Sequence, residues 1–534
     1  MATTAQIIAR RLYDAGCRHA FGMPGGEVLT MMDALAEAGL EFTLVKHENA
    51  GGFMAEGTWH ATGAPGVLLA TIGPGAANAV NVVANAQQDR VPLIFITGCL
   101  DAADDATYTH QIFDHQAVFA PITKASLRMA EGAVDELIDK ALAIATDGQP
   151  GPVHIDLPIA LAAAEQPDRQ VARRNQLSPV MPAAGPDLET ARAMFQSAVR
   201  PVVVAGVDVL LQGAEQAVAQ FCQTFKIPLI TTYKAKGILP EDDPLCLGGH
   251  GLSPLSDGEI MPLLEASDLV IAAGYDPIEM RIGWRDLWAA DKVIEFCITP
   301  NTHYMHQAKL TFLCDVAAGL DSLSRDIPPR PLWPNGEPAA TRARLKAHFS
   351  PDETYGPSDV VHAVRRALPR NAVASADSGA HRILLSQTWE CYEPRGLIQS
   401  TGLCTMGCGV PLAMGFKQAN PNVPVVAFTG DAGLEMVLGE LATARDLKLG
   451  VIIVVLVDRS LALIELKQRR SNLPNLGVDF GGTDFPAVAN ALGGTGVWAE
   501  GAQSIEQAVK EAVDREGFTL IACPIPDRAY DGRI

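Results

Sequence analysis

No stretch of this 534-residue chain comes near the ~20 consecutive apolar residues that a membrane-spanning helix needs. Positive charge is short as well: 41 Lys and Arg stand against 61 Asp and Glu, a formal net charge of −20. That balance disfavours nucleic acid and anionic membrane surfaces as partners. Disulfide and zinc frameworks are missing. The ten cysteines are scattered through mostly apolar contexts with no CxxC spacing, and read as free thiols of a reducing cytoplasm. Cys404 and Cys408, four apart, read as packing residues on one helix face. The opening "MATTAQIIARRLYDAG" runs straight into an amphipathic helix pattern, without the apolar region of a secretory signal. A cytoplasmic location is expected.

What is present is an ordinary globular composition, 48% apolar and 19% charged. At ~100–200 residues per domain the length suggests about three domains. Apolar runs of strand length alternate with helical patterns: "GVLLATIG" (66–73), "VPLIFITG" (91–98), "RPVVVAG" (200–206), "DLVIAAG" (268–274), "VPVVAFTG" (423–430) and "GVIIVVLVD" (450–458). Continuous β-rich runs separated by helices predict an α/β fold with parallel sheets covered on both faces. Two polar, proline-bearing stretches, 163–190 and 327–357, read as linkers. They divide the chain into domains of about 1–165, 185–330 and 355–534. The first and third segments are alike. Each has a strand, a Gly-rich turn, a helix and a second strand, with Thr71 or Thr429 just before the turn. Two domains of one ancestral fold would cradle a ligand at the carboxyl ends of their strands.

The third segment offers the chemistry. "TGDAGLEM" places Asp431 at a strand end before a helix, with the amides of Ala432 and Gly433 facing an anion. Asp458 ends the next long strand, 27 residues on. A lone Asp after a strand is more often a helix cap. Two at one sheet edge, beside a phosphate-friendly helix terminus, suit Mg²⁺ with phosphate oxygens. In the first segment, "VKHENAGGFMAEG" sets Glu48 among small and apolar residues, where a carboxylate is costly unless it is paired.

These features resemble the thiamine-diphosphate (ThDP) enzymes, whose diphosphate and Mg²⁺ motif reads GDG or GDA and then NN. The resemblance covers nearly the whole chain, in the acetolactate synthase and 2-oxo-acid decarboxylase branch. "FGMPGG" (21–26) resembles the first Gly-rich loop, and "KHENAGGFMAEG" the segment of the catalytic Glu. "TIGPGAANAV" (71–80) is similar to SGPGATN, and "HQIFDHQAVFAPITK" (110–124) to the FQExD…PITK segment. "DSGAHR" (377–382) is similar to DVGQHQ, and "GLCTMGCGVPLAMG" (402–415) to GLGTMGxGLPAAxG. The chain departs from the pattern at Asp458, which stands where the metal-binding Asn is expected.

The resemblance implies three domains with parallel sheets: a pyrimidine-binding domain, a central domain, and a diphosphate-binding domain. It implies ThDP and Mg²⁺ as cofactors. Asp431, Asp458 and the Ser460 carbonyl would hold the metal. Gly379, Ala380, His381, Gly430, Ala432 and Gly433 would touch the diphosphate. Met406 would hold the two cofactor rings together, and the backbone of Cys404 would accept from the 4′-amino group. Pro24, Gly25, Thr71, Pro74 and Asn78 would line the pyrimidine side. Glu48 would hydrogen-bond the ring N1′, a bond that an apolar setting strengthens.

The expected reaction is decarboxylation of a pyruvate-like 2-oxo acid and transfer of its acyl carbanion to a carbonyl acceptor. Gln111 and PITK favour that ligation by likeness to acetolactate synthases. His110 and His115 keep a non-ligating decarboxylase open, as candidate proton donors. Sulfoacetaldehyde acetyltransferase-like chemistry is a more distant third reading, and a non-catalytic scaffold subunit is the alternative of another class. Arg382 replaces a family Gln, and Lys467 lies near the position of a substrate-facing Trp; both are candidates to meet an anionic substrate. FAD is not expected: "VVVAGVDVLLQG" lacks a GxGxxG, and "AAGYDPIEMR" looks more like the FAD-independent catabolic acetolactate synthases. In the family the Glu and the metal come from different subunits, so a homodimer or homotetramer with active sites at the subunit interface is implied.

Overall fold

Three six-stranded parallel sheets organise the chain in the computed structural model, which describes residues 2–169, 178–351 and 354–534. Residues 170–177 of the first linker and 352–353 of the second lie outside the described residues. The first sheet contains β1 (His19–Met23), β2 (Glu41–Leu44), β3 (Gly66–Ala70), β4 (Leu93–Cys99), β5 (Ala125–Arg128) and β6 (Val153–Pro158), in the order β2-β1-β3-β4-β6-β5. The central sheet contains β7 (Pro201–Ala205), β8 (Leu229–Thr231), β9 (Cys246–Gly249), β10 (Leu269–Ala273), β11 (Val293–Cys297) and β12 (Leu310–Leu313), ordered β9-β8-β7-β10-β11-β12. The third contains β13 (Val373–Ala376), β14 (Leu397–Gln399), β15 (Val425–Gly430), β16 (Val451–Val457), β17 (Thr495–Trp498) and β18 (Thr519–Pro524), ordered β14-β13-β15-β16-β18-β17.

The first and third sheets therefore have one topology, which substantiates the likeness seen in their sequences. The inner strands are apolar throughout because helices cover both faces. All seven residues of β16, "VIIVVLV", are buried. The second linker contains a helix: Glu337–His348 packs on the central domain, where it buries Thr341 and Leu345. Among the described residues no helix is long and apolar enough to cross a membrane.

The first and third domains are joined by two Gly- and Ala-rich helices, α1 (Glu48–Thr62) and α2 (Gly409–Ala419). Their closeness depends on glycine. A Cβ at Gly57 would lie 2.3 Å from the Leu412 carbonyl oxygen, and one at Gly415 would lie 1.9 Å from that of Met54. Polar bonds fix the register. The Glu440 carboxylate accepts from the Lys46 and His47 amides at 2.9 and 3.1 Å, at the very start of α1.

Candidate active site

The site begins where the third sheet ends. Asp431 follows β15 and is buried. One carboxylate oxygen accepts from the Ala432 amide at 2.9 Å, the other from the Asp458 and Arg459 amides at 3.2 and 2.7 Å. Asp458 follows β16, and its Oδ1 accepts from the Ser460 amide at 3.2 Å. The adjacent parallel strands thus bring the two acids together, as their spacing anticipates. Burial raises the Asp431 carboxyl above its ordinary value. Burial, then the charge of Asp431, push Asp458 up to about 7. Two carboxylates so placed are costly without a cation beside them.

A cavity of about 150 Å³ opens next to them. Gly379, Ala380, His381, Met406, Gly430, Asp431, Ala432, Gly433, Asp458 and Ser460 all border it. Cys404 lies in the same loop as Met406 and takes a left-handed φ of 54°. Residues the sequence reading passed over complete the wall: Ser378, Leu456, Leu461, Ala462, Leu463, Ile464 and Tyr530. Tyr530 is brought in by the C-terminal tail after β18, and nothing in its local sequence announces it. Asp377 is the hidden anchor. Its carboxylate accepts from the Ser378 and Gly407 amides, both at 2.8 Å, from the Cys408 amide at 3.2 Å and from the Thr429 hydroxyl at 2.9 Å. Its signal, an Asp directly after a strand, was present in "DSGAHR".

The residues fit a metal–diphosphate group. His381 Nε2 is buried at the cavity without a hydrogen-bond partner, and burial holds the imidazole down to about 4, hence neutral. Gly433 leaves no room for a side chain: a Cβ there would lie 2.1 Å from Asp377 Oδ2, so backbone amides line the turn. The acids supply the oxygen donors that Mg²⁺ prefers.

The other half lies at the carboxyl end of the first sheet. Glu48 opens α1 and is 4% exposed. Its Oε2 accepts from Asn78 Nδ2 at 2.9 Å. Asn78 ends a short helix that Pro74 begins, and Thr71, just before it, donates to the Glu27 carboxylate. Gly25, next to Pro24, packs so closely that a Cβ would lie 2.1 Å from Thr71 Oγ1. Glu48, Pro24, Gly25, Thr71, Pro74 and Asn78 are thus gathered at one sheet edge. Every described residue that borders the 150 Å³ cavity belongs to the third domain; Glu48 and Asn78 do not border it.

The residues considered for substrate are more dispersed. Gln111 is exposed with φ 59°, and its carbonyl lies so close to Gly73 that a Cβ there would be 2.0 Å away. His110 is exposed. His115 is buried: its Nε2 accepts from the Gly73 amide at 3.1 Å, and Nδ1 is 2.8 Å from Asp156 Oδ1. His154 and Asp156 are near enough to complete a three-ligand cluster with His115. However, Thr97 and Ser126 occupy both His154 nitrogens at 2.8 Å, so the group is a satisfied hydrogen-bond network. Arg382 is buried and donates from Nε to Gln399 Oε1 at 3.0 Å, outside the cavity wall. Lys467 is exposed, one turn beyond Ile464.

In the central sheet, Asp208 occupies the first turn of the helix after β7, the place where a dinucleotide's diphosphate would seek amides. Burial, then the neighbouring Asp276 charge, push Asp208 up to about 7. A second anion there would be repelled.

Comparison with known proteins agrees along the chain. Residues 2–118 match the family described as thiamine pyrophosphate enzyme, N-terminal TPP binding domain. Residues 188–323 match its central domain and 377–523 its C-terminal TPP binding domain. The acetolactate synthase of Bacillus subtilis (strain 168) is 28% identical over 532 residues, covering 98% of this chain and 93% of that protein. The acetolactate synthase isozyme 1 large subunit of Escherichia coli (strain K12) is 31% identical over 491 residues, 87% and 83% of the two chains. A probable 2-ketoarginine decarboxylase of Pseudomonas aeruginosa is 29% identical over 534 residues, 97% and 93%.

Proposed function

Since this chain belongs to the thiamine-diphosphate enzymes of the acetolactate synthase-like family, we propose that it decarboxylates a pyruvate-like 2-oxo acid and transfers the acyl unit to a carbonyl acceptor. The observation that carries this is the pairing of two sites on matching scaffolds. One is Asp431 and Asp458 beside a cavity; the other is Glu48 held by Asn78. Bound ThDP supplies the electron sink for the carbanion left by loss of CO₂. Asp431, Asp458 and the Ser460 carbonyl hold Mg²⁺ in this reading. The amides of Ala432 and Gly433, with His381, receive the diphosphate. Asn78 fixes one oxygen of Glu48 and leaves the other to hold a proton toward the ring N1′. Leu463 and Ile464 make this part of the cavity wall apolar.

In this reading two copies of the chain build the site, because among the described residues the cavity at Asp431 draws no wall from the first domain of its own chain. A homodimer or a homotetramer would satisfy it. FAD has no role, given Asp208 and Asp276 at the central turn. Lys467, exposed and without an ion pair among the described residues, is offered as a contact for an anionic acceptor. The acceptor enters beside Gln111, whose strained backbone fixes its position. A second reading, decarboxylation without ligation, is supported by the comparable identity to the probable 2-ketoarginine decarboxylase.

The test is incubation with ThDP, Mg²⁺ and a panel of 2-oxo acids, singly and in pairs, with products identified by mass. Ligated hydroxy-ketone products such as acetolactate are expected. An aldehyde alone from each acid would select the second reading, and no turnover of any acid would reject both.

A further inference from the structure

The loop that follows β14, residues 400–408, brings Met406 into the wall of the cavity at Asp431. Its backbone is awkward, because Cys404 and Gly407 both take a left-handed φ, 54° and 80°. A non-glycine residue is kept in that conformation only where its surroundings fix it. Asp377 fixes the end of the loop, through the Gly407 and Cys408 amides. The beginning of the loop is fixed from another domain.

In the first domain the helix Val80–Asp89 carries Asn81, Asn85 and Asp89 at four-residue spacing, hence on one face. Each meets the loop. The Asp89 carboxylate accepts from the Thr401 amide at 3.0 Å and from the Thr401 hydroxyl and the Gly402 amide, both at 2.7 Å. Asn85 Oδ1 accepts from the Ser400 hydroxyl at 2.5 Å, and Asn81 Oδ1 from the Thr405 hydroxyl at 3.0 Å. Asn85 and Asp89 are fully buried. The helix also presses on the loop directly, since a Cβ at Gly402 would lie 2.5 Å from Gln88 Cβ.

The central bonds run head to tail. The Thr405 amide donates to Ser400 Oγ at 3.1 Å, the Ser400 hydroxyl to Asn85, and Asn85 Nδ2 to Glu56 Oε2 at 3.0 Å. Buried bonds in such a chain polarise and strengthen one another. The loop is therefore set between Asp377 on one side and a stripe of the first domain on the other. None of the three stripe residues borders the cavity, so they act on it only through the loop.

We propose that Asp89, Asn85 and Asn81 are positioning residues: from the first domain they set the loop so that Met406 and the Cys404 carbonyl stand at a fixed place against the cofactor rings. The inference rests on the ThDP reading above. The stripe makes no contact with Asp431 or Asp458 among the described hydrogen bonds, so it governs the placement of the rings and leaves the metal–diphosphate grip alone.

The test compares the full-length wild type with Asp89→Asn and Ser400→Ala. Asp89 also lies 3.5 Å from Lys234 Nζ. Ser400→Ala, which removes a single hydroxyl, therefore carries the test should the Asp89 variant fail to fold. The first readout needs no cofactor. Amide hydrogen exchange should speed up by about tenfold at Thr401, Gly402 and Thr405 while the rest of the chain keeps its protection. The second is made with ThDP and Mg²⁺ at saturation. Exchange of the cofactor C2 proton should slow by ~10–100-fold, as misplaced reacting groups do, with little change in the Kd of ThDP. A bond that only holds domains together would lower Tm and leave C2 exchange in the loaded enzyme at the wild-type rate, and that result would overturn the positioning role alone. A wild-type chain that binds no ThDP would overturn the cofactor reading, and this assignment with it.

Discussion

The first and third sheets share a strand order and a brace but not a chemistry. In each, a threonine at the end of the sheet's third strand donates to a carboxylate placed just past its first strand: Thr71 to Glu27, and Thr429 to Asp377. The two domains diverge immediately after the threonine. In the third domain the chain turns through Gly430 into Asp431 and a helix start, and Asp377 gathers three further amides around the turn. In the first it turns through Gly73 and Pro74 to Asn78, which addresses Glu48. In the proposed reading, one frame thus carries a metal–diphosphate half and a proton-handling half. The scaffold sets position, and a few residues after one strand set the chemistry. The central sheet, ordered differently, puts Asp208 after its first strand and builds neither half.

The sharpest way to separate the halves is to disable one. Glu48→Gln should leave ThDP and Mg²⁺ bound but slow exchange of the cofactor C2 proton by ~10²–10⁴, the usual range for a lost acid–base group. Quenched-exchange NMR reads this, and unchanged exchange would remove Glu48 from the proton-handling half.

The central domain is contrasted by pH. The folded value of Asp208 is raised from 3.8 to about 7. The stability that its protonated form contributes is therefore complete below 3.8 and lost as pH rises through about 7. Asp208→Asn removes that loss. It should be more stable than the wild type by on the order of 1–3 kcal/mol at about pH 8 and equal to it near pH 4, by denaturant unfolding.

The two braces should differ in worth. Thr429→Val leaves a buried carboxylate short of one of its donors and should cost about 1–2 kcal/mol. Thr71→Val acts on the less buried Glu27 and should cost less, under about 1 kcal/mol. Equal costs would mean that the braces are interchangeable structure. The smallest effect is expected at the exposed Lys467. Lys467→Ala should raise KM a few-fold for an anionic acceptor and leave pyruvate kinetics alone; a uniform change would sink the contact.

Much of this was legible in the sequence for particular reasons. β16 announces itself because a strand covered on both faces must be apolar throughout. Asp431 and Asp458 could be paired because consecutive parallel strands end at one edge. Glu48 was visible as a charge in small, apolar company, though its partner Asn78, 30 residues away, needed the fold. Features that depended on distant contacts were hidden. Tyr530 reaches the cavity only because the tail folds back after β18. His115 read equally well as a proton donor and as a structural residue; the fold decides, since Gly73 and Asp156, each about 40 residues away in sequence, occupy both of its nitrogens. The helix Glu337–His348 lay inside a proline-rich linker whose composition masked it.

The claim that the two halves form one site across two copies can be tested by mixing them. Glu48→Gln and Asp431→Asn chains should each be inactive as homo-oligomers. In a mixed oligomer, the intact Glu48 of one chain meets the intact Asp431 of the other and restores a wild-type site. Co-expression with two affinity tags, isolation of the mixed species and assay of 2-oxo acid consumption with ThDP and Mg²⁺ gives the readout. Recovered turnover is expected. If the mixed species forms and stays inactive, each site is built within a single chain and the account is wrong.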